Sequence, residues 1–154
     1  MIFKRWLVLC VCFMFTGIVP GVVHALTIPT PTVLPGGKII TALDAKTLLD
    51  SKGAVFYDAR RSIRYAEGHL SGATNLPYVQ NSAETATFDA TVDQFSLSSL
   101  PTNKAAAIVF YSNSSNGWKS FKAAVQAIRQ GYTDVRWLRN GLAGWTAAGF
   151  SVVK

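Results

Sequence analysis

The chain has only two cysteines, and both lie close to its N-terminus, at positions 10 and 12. An apolar segment with the features of a removable leader contains both of them, so the rest of the chain has no thiol. Residues 26–154 can therefore form no disulfide and can use no cysteine as a nucleophile. Their stability must come from a hydrophobic core, and this length is sufficient to build one in a single domain.

Acidic residues are also scarce: 8 Asp and Glu oppose 15 Lys and Arg, which gives a net charge of +7. The basic residues are spread along the sequence and form no cluster with aromatic side chains, so nothing indicates nucleic-acid binding. The imbalance indicates solubility and a weak attraction for anions. His69 is the only histidine beyond the leader. We expect no bound metal and no cofactor.

The first 25 residues have the composition of a secretory signal peptide, so we predict that Met1–Ala25 is removed. Lys4 and Arg5 form a positive start, Trp6–Phe15 is the apolar centre, and Val23-His24-Ala25 is typical of a cleavage site. Cleavage after Ala25 predicts a secreted or periplasmic protein with no stable membrane insertion once the leader is removed.

An uncleaved N-terminal membrane anchor is the alternative for the same segment. Trp6–Val23 carries no charge and is close to the lower length limit for a membrane span. Gly17, Pro20 and Gly21 interrupt the run near its end, which favours cleavage.

Beyond the leader, strand and helix patterns alternate. Residues 26–37 are rich in proline and glycine, which predicts an extended arm or linker, and 38–154 forms the domain. The predicted strands are Lys38–Thr41, Ala54–Tyr57, Thr74–Leu76, Ala105–Tyr111, Val135–Leu138 and Phe150–Val153. The predicted helices are Ala42–Asp50 capped by Thr41, Arg61–Ala66, a helix from Trp118 that Gly131 ends, and Gly141–Ala148. The polar segment Gln80–Pro101 is expected to hold at most one short helix. This alternation predicts a parallel sheet covered on both faces.

One polar loop is a candidate binding site. Residues 111–117 lie between a buried strand and the helix from Trp118. A strand that turns through a short loop into a helix directs N–H groups and the positive end of the helix dipole at one point. This arrangement favours an anion.

Four sequence pieces together resemble the rhodanese domain over nearly all of residues 38–154. They are Tyr57–Arg60, Glu67–Pro77, Val109–Gly117, and Asn140–Trp145 followed by Gly149. The resemblance implies an α/β rhodanese-like fold, with a mainly parallel sheet of about five strands and helices on both faces. Pro35-Gly36-Gly37 and Trp118-Lys119-Ser120 look like an exported bacterial branch of the family.

The same resemblance implies that the usual chemistry is missing. It places Ser112 at the family's nucleophilic cysteine and Gly117 at the second cysteine of the branch. No residue from Asn113 to Gly117 is Arg or Lys, although sulfurtransferase loops commonly hold a cation. The length of the loop Ser112–Gly117 is similar to that of sulfurtransferases and shorter than that of related phosphatases, which favours a sulfur-sized oxyanion.

We therefore expect no catalytic residue and an anion-binding loop whose members are Ser112, Asn113, Ser114, Ser115, Asn116 and Gly117. The Ser112 hydroxyl can donate to an oxyanion. Possible supporting residues are Asp58, Arg60, His69, Trp118 and Lys119. Each also has a structural interpretation: an internal ion pair for Asp58 and Arg60, a turn for His69, core packing for Trp118, and a solvated helix face for Lys119 and Lys122.

The favoured function is an exported, non-catalytic binder of a small oxyanion, a sulfur compound or a partner protein. One alternative is an enzyme that retains sulfurtransferase-type activity or uses Ser112 as its nucleophile. The other is a pure interaction module, in which the surface from Gln80 to Pro101 contacts a partner.

Overall fold

A single parallel sheet forms the centre of the computed structural model, which describes residues 27–154. Its strands are β1 (Lys38–Ile39), β2 (Val55–Asp58), β3 (Thr74–Asn75), β4 (Ile108–Tyr111) and β5 (Val135–Leu138). They lie in the order β1-β5-β4-β2-β3, and all four pairings are parallel. The helices are α1 (Ala42–Asp50), α2 (Ser62–Glu67), α3 (Trp118–Arg129) and α4 (Gly141–Ala147). The predicted five-stranded parallel α/β architecture is confirmed.

Local sequence explains where α1 begins. Thr41 Oγ1 accepts a hydrogen bond from the Asp44 N–H at 3.1 Å, and Asp44 Oδ2 accepts one from the Thr41 N–H at 2.9 Å. This reciprocal capping box satisfies two N–H groups that the first helical turn leaves without partners. The predicted cap at Thr41 is confirmed.

The sheet separates two hydrophobic clusters. Tyr57, Phe110 and Trp137 pack with the buried face of α3 in one cluster. Phe56 and Val109, which alternate with them along the strands, belong to the other cluster together with Ala45 of α1 and Trp145 of α4. Since side chains alternate between the faces of a sheet, these strands are buried on both sides. The prediction of helices on both faces is confirmed.

The predicted terminal strand Phe150–Val153 is wrong, because this segment does not join the sheet. Only Val153 pairs with another strand-like residue, in an antiparallel bridge to His69. The Trp145 indole N–H donates to the Ser151 carbonyl at 2.9 Å, and its ring lies 4.9 Å from that of Phe150. Trp145 therefore holds the segment beside α4, away from the sheet edge.

The expectation of at most one short helix in Gln80–Pro101 is also wrong, since two 3₁₀ turns occur, at Ala90–Val92 and Leu97–Ser99. This segment covers part of α3. Lys122 Nζ donates to the Ser82 carbonyl at 3.0 Å and lies 3.8 Å from Asp93 Oδ2, with both side chains completely buried. The solvated-face interpretation of Lys122 is therefore wrong.

The predicted signal peptide and the alternative anchor lie outside the described residues. Among residues 27–154, no helix has the length and apolar character that a membrane crossing requires.

Candidate functional site

A cavity of about 430 Å³ opens where β2 and β4 end, beside the loop between β4 and α3. This is the edge at which parallel α/β sheets place their binding sites. Its lining consists of Arg60, Arg61, Arg64, Gln80, Glu84, Ser112, Asn113, Asn116, Gly117, Trp118 and Lys119. The cavity thus brings together most of the loop, Arg60, Trp118 and Lys119 from the predicted set.

Ser112 lies at the base of this cavity and is only 3% exposed. Its hydroxyl donates to the Gly117 carbonyl at 3.3 Å and accepts from Ser120 Oγ at 3.2 Å. The Trp137 indole N–H in turn donates to Ser120 Oγ at 3.0 Å, so the orientation of Ser120 is fixed from the core. A Cβ atom at Gly117 would overlap Ser112 Oγ, and therefore only glycine fits there.

The start of α4 is hydrogen-bonded to the backbone of the loop. The N–H groups of Leu142 and Ala143 donate to the Ser112 and Asn113 carbonyls at 2.9 and 2.8 Å. Gly141 has a φ of +54°, and a Cβ atom there would overlap the Ser112 carbonyl oxygen. The two backbones can approach this closely only because residue 141 is glycine.

The loop uses some of its N–H groups internally. The Gly117 N–H donates to the Ser114 carbonyl at 2.9 Å, and the Trp118 N–H donates to the Asn116 carbonyl at 3.1 Å. Within residues 27–154, the N–H groups of Asn113, Ser114 and Ser115 have no protein acceptor. They are the loop donors left for a ligand, next to the N-terminus of the twelve-residue helix α3.

Asp58 and Arg60 form a buried pair behind the loop. Arg60 Nε donates to Asp58 Oδ1 at 2.9 Å, and Nη2 donates to Oδ2 at 2.6 Å. Nη2 also donates to the Gly68 carbonyl, and Nη1 lies 3.5 Å from Asn113 Oδ1. Burial lowers the pKa of Arg60, but Asp58 and Tyr111 together raise it by more, so the net shift is upward. The geometry matches the internal ion pair, with Arg60 still forming part of the cavity wall.

Three further cations surround the cavity, from helices on either side of the loop. Arg61 and Arg64 come from the start of α2, and Lys119 from the first turn of α3. Arg64 pairs with Glu67 at 2.8 Å. Burial and the nearby charge of Arg61 lower the pKa of Lys119. The loop contains no cation of its own, yet the folded chain places several beside it.

His69 is not brought to the cavity. Its Nδ1 lies 3.0 Å from the Tyr65 carbonyl, and its ring stacks on that of Tyr65 at 3.6 Å. His69 thus stabilises the turn after α2, in agreement with its structural interpretation. Trp118 is 4% exposed and packs edge-on against Phe121, so it combines core packing with a place in the cavity wall.

The arm lies against the loop instead of extending away from the domain. Thr30 Oγ1 donates to the Ser115 carbonyl at 2.5 Å, and the Trp118 indole N–H donates to the Ile28 carbonyl at 2.9 Å. Arg139 donates to the carbonyls of Thr30 and Pro31 at 2.9 and 2.8 Å. The arm therefore fixes the outer side of the loop.

Sequence reasoning missed Arg61, Arg64, Gln80 and Glu84 as cavity residues. The first two carry a usable signal, since arginines three positions apart on a short helix after β2 share one face. Nothing in the sequence places Gln80 or Glu84 beside the loop. No group of three or more potential metal ligands occurs within residues 27–154.

Comparison with solved structures finds the same fold in several proteins of low sequence identity. A thiosulfate sulfurtransferase from Pseudomonas aeruginosa is 23% identical with a TM-score of 0.56; the alignment covers 77% of this chain and 20% of that enzyme. A rhodanese-like domain from an Anabaena protein is 23% identical with a TM-score of 0.53 and coverages of 74% and 76%. A Rhodopseudomonas palustris protein described as a possible tyrosine phosphatase is 20% identical with a TM-score of 0.54 and coverages of 77% and 86%.

This chain thus spans about a fifth of the length of the Pseudomonas aeruginosa enzyme. No curated protein matches it at a significant level. The family model for the rhodanese-like domain matches residues 41–148, which include every strand from β2 to β5 and the whole loop. The chain has the rhodanese-like α/β fold and belongs to the rhodanese-like domain family.

Proposed function

We propose that this protein is an exported binder of a small oxyanion, held by the loop Ser112–Gly117, and that it does not transfer sulfur by the family's route. The observation that carries this proposal is the composition of one cavity. Asn113, whose N–H has no protein acceptor among residues 27–154, the N-terminus of α3, and the cations Arg61 and Lys119 all border it. Each of these features favours negative charge.

The lack of a thiol supports a non-catalytic role. The resemblance places Ser112 at the nucleophile position, and residues 26–154 contain no cysteine. A serine hydroxyl cannot hold a persulfide, so sulfur transfer through the family intermediate has no acceptor atom. A serine-based enzyme would need a base beside Ser112 Oγ. Within the described residues, its hydrogen-bond partners are Ser120 Oγ and the Gly117 carbonyl, neither of which is a base.

Anion binding is tested by calorimetric titration of the purified protein with thiosulfate, sulfite and sulfate at low ionic strength. We expect saturable binding that Gly117→Ala abolishes, because the added methyl group collides with Ser112. Gly53→Ala is the matched control, since it adds the same methyl group at an exposed turn far from the loop. If no anion binds, the interaction-module alternative replaces this proposal.

The absence of sulfur transfer is tested by a thiosulfate:cyanide assay and by mass spectrometry for persulfide sulfur. We expect no turnover above a heat-treated control. Turnover that Ser112→Ala abolishes would contradict the proposal and favour the enzyme alternative.

Export belongs to the same proposal and has its own measurement. Protein recovered from the cell envelope should begin at Leu26, because Ala25 ends the predicted cleavage site. Recovery of intact Met1 in a membrane fraction would favour the anchor.

A further inference from the structure

We infer that the natural ligand is an organic anion with two acidic groups, one held by the loop and the other by Arg61 and Lys119. This inference rests on the proposed anion-binding function and adds the class of ligand. It comes from how the charges around the cavity are paired and from the size of the cavity.

Two of the four cations at the cavity already have a carboxylate partner within the protein. Arg60 is paired with Asp58, and Arg64 with Glu67. Glu84 is the one carboxylate in the lining; it accepts a hydrogen bond from Gln80 Nε2 at 3.3 Å and forms no ion pair with a cation among residues 27–154. These pairs leave few cations whose charge is not balanced.

Arg61 and Lys119 are those cations. Neither forms an ion pair with a carboxylate among residues 27–154. They come from different elements and line the same cavity, where burial and the nearby charge of Arg61 lower the pKa of Lys119. Two like charges held together without a counter-ion are unfavourable, and an anionic group between them would relieve this repulsion.

The cavity is larger than an inorganic oxyanion requires. A tetrahedral oxyanion of five heavy atoms fills roughly 100 Å³, on the scale of about 30 Å³ for one water. The cavity measures about 430 Å³, which lies within the range of sites for organic ligands. A sulfate-sized group at the loop therefore leaves space for a carbon linker that ends in a second acid.

The test compares two probes of equal chain length, 3-sulfopropionate with two acidic groups and propanesulfonate with one. Binding to the full chain is measured by calorimetry at one fixed, low ionic strength, because salt screens exposed charges. The variants are Arg61→Gln and Lys119→Gln. Arg129→Gln is the matched control, since it removes one charge from the exposed end of α3, outside the cavity.

We expect 3-sulfopropionate to bind roughly tenfold more tightly than propanesulfonate, as charge-assisted hydrogen bonds to the second acid would give. Each cavity variant should reduce this preference to about threefold or less, and Arg129→Gln should leave it unchanged. Equal affinity for the two probes, or a preference that all three variants retain, would overturn the inference. If sulfate and both probes fail to bind, the proposed function itself fails. If sulfate binds but the protein shows no preference between the two probes, the inference of a ligand with two acidic groups fails, and the proposed anion binding remains.

Discussion

At the scale of single residues, the pair of Asp58 and Arg60 shows how the site is kept rigid. The carboxylate is fully buried and the guanidinium is 6% exposed, so neither group has water to replace its partner. Because the pair is bidentate and Arg60 also donates to the Gly68 carbonyl, it fixes the turn after β2 relative to the end of α2. The pair therefore provides a fixed part of the cavity wall.

Removing one partner of this pair should be costly. Asp58→Asn leaves the Arg60 guanidinium buried without a counter-charge, and we expect a loss of about 3–5 kcal/mol in the free energy of unfolding. Asp50→Asn is the comparison, because it breaks the exposed Lys46–Asp50 pair and should cost less than about 1 kcal/mol. Urea denaturation of both variants measures the difference. Equal losses would contradict the structural role of the buried pair.

Position 112 can report the electrostatic potential inside the loop, because a cysteine placed there titrates. In Ser112→Cys, the thiolate would accept a hydrogen bond from Ser120, and the N-terminus of α3 and Lys119 lie close by. These groups favour the charged form, whereas burial opposes it. We expect a thiol pKa below the usual value of about 8.5, by roughly one unit.

The measurement is the pH dependence of alkylation at residue 112, followed by peptide-resolved mass spectrometry. Ser71→Cys, on an exposed turn, provides the reference thiol in the same protein. A pKa at position 112 equal to or above this reference would mean that the loop stabilises no negative charge.

At the scale of elements, the arm is the feature that sequence reasoning described least well. Its proline and glycine content predicts an extended segment, which is correct for its backbone but says nothing about where it packs. Thr30 and Leu34 are each 3% exposed. Ser115, Trp118 and Arg139 bind the arm around Thr30 from three separate elements, and Leu34 packs in the first hydrophobic cluster. Contacts between residues about 85 to 109 positions apart leave no local pattern in a sequence.

Removing the hydrogen bonds between Arg139 and the arm should increase local opening of the arm. Arg139→Met keeps most of the side-chain volume but removes the hydrogen bonds to the Thr30 and Pro31 carbonyls. A hydrogen bond from a charged donor contributes about 1.5–3 kcal/mol, so the Thr30 amide should exchange with solvent roughly 10- to 100-fold faster.

Hydrogen exchange followed by mass spectrometry provides the measurement, and anion affinity in the same variant should fall. Arg136→Met is the control, since Arg136 bonds Asp134 on the neighbouring turn and does not contact the arm. Unchanged exchange at Thr30 would show that Arg139 does not hold the arm.

The regular elements were predictable because local physics decides them. Thr41 and Asp44 specify the start of α1, and the short, uniformly apolar run before the loop is typical of a buried strand. The last strand was misassigned because Phe150, Val152 and Val153 are residue types that are common in strands, while Trp145 decides where that segment lies. The loop was found from its position between β4 and α3. Arg60 and Lys119 were also predicted, but Arg61 and Arg64 were not, since α2 and α3 meet beside the loop only in the folded chain.

At the scale of the whole molecule, residues 27–154 contain no cysteine, so the stability of this part of the chain depends on its core and on a few buried polar groups. Asp93 is the centre of the largest such group. It accepts hydrogen bonds from Tyr78 Oη and Ser82 Oγ, each at 2.6 Å, and its carboxylate lies 3.8 Å from Lys122 Nζ. Through these contacts, the segment that follows β3 is attached to α3 across the first hydrophobic cluster.

This arrangement predicts a specific sensitivity to acid. Burial raises the pKa of Asp93, but the hydrogen bonds from Ser82, Tyr78 and Asn81 lower it by more, to about 2. An unfolded aspartate has a pKa of about 3.9, so between these values the unfolded state binds more protons than the folded state. Asp93 therefore stabilises the fold above about pH 4, and this contribution is lost as the pH falls towards 2.

We expect Asp93 to account for about 2 kcal/mol of the stability lost between pH 5 and pH 2. Urea denaturation at both pH values should show a loss smaller by about that amount in Asp93→Asn than in the unmodified protein. Tyr78→Phe gives a second reading if Asp93→Asn is too unstable, because loss of one donor should raise the pKa of Asp93 and shift the acid transition to higher pH. Glu84→Gln, at an exposed position, should leave the transition in place. The contrary result is that Asp93→Asn loses as much free energy of unfolding between pH 5 and pH 2 as the unmodified protein, and that the acid transition of Tyr78→Phe stays at the same pH. These two results together would show that Asp93 does not control the acid stability of this fold.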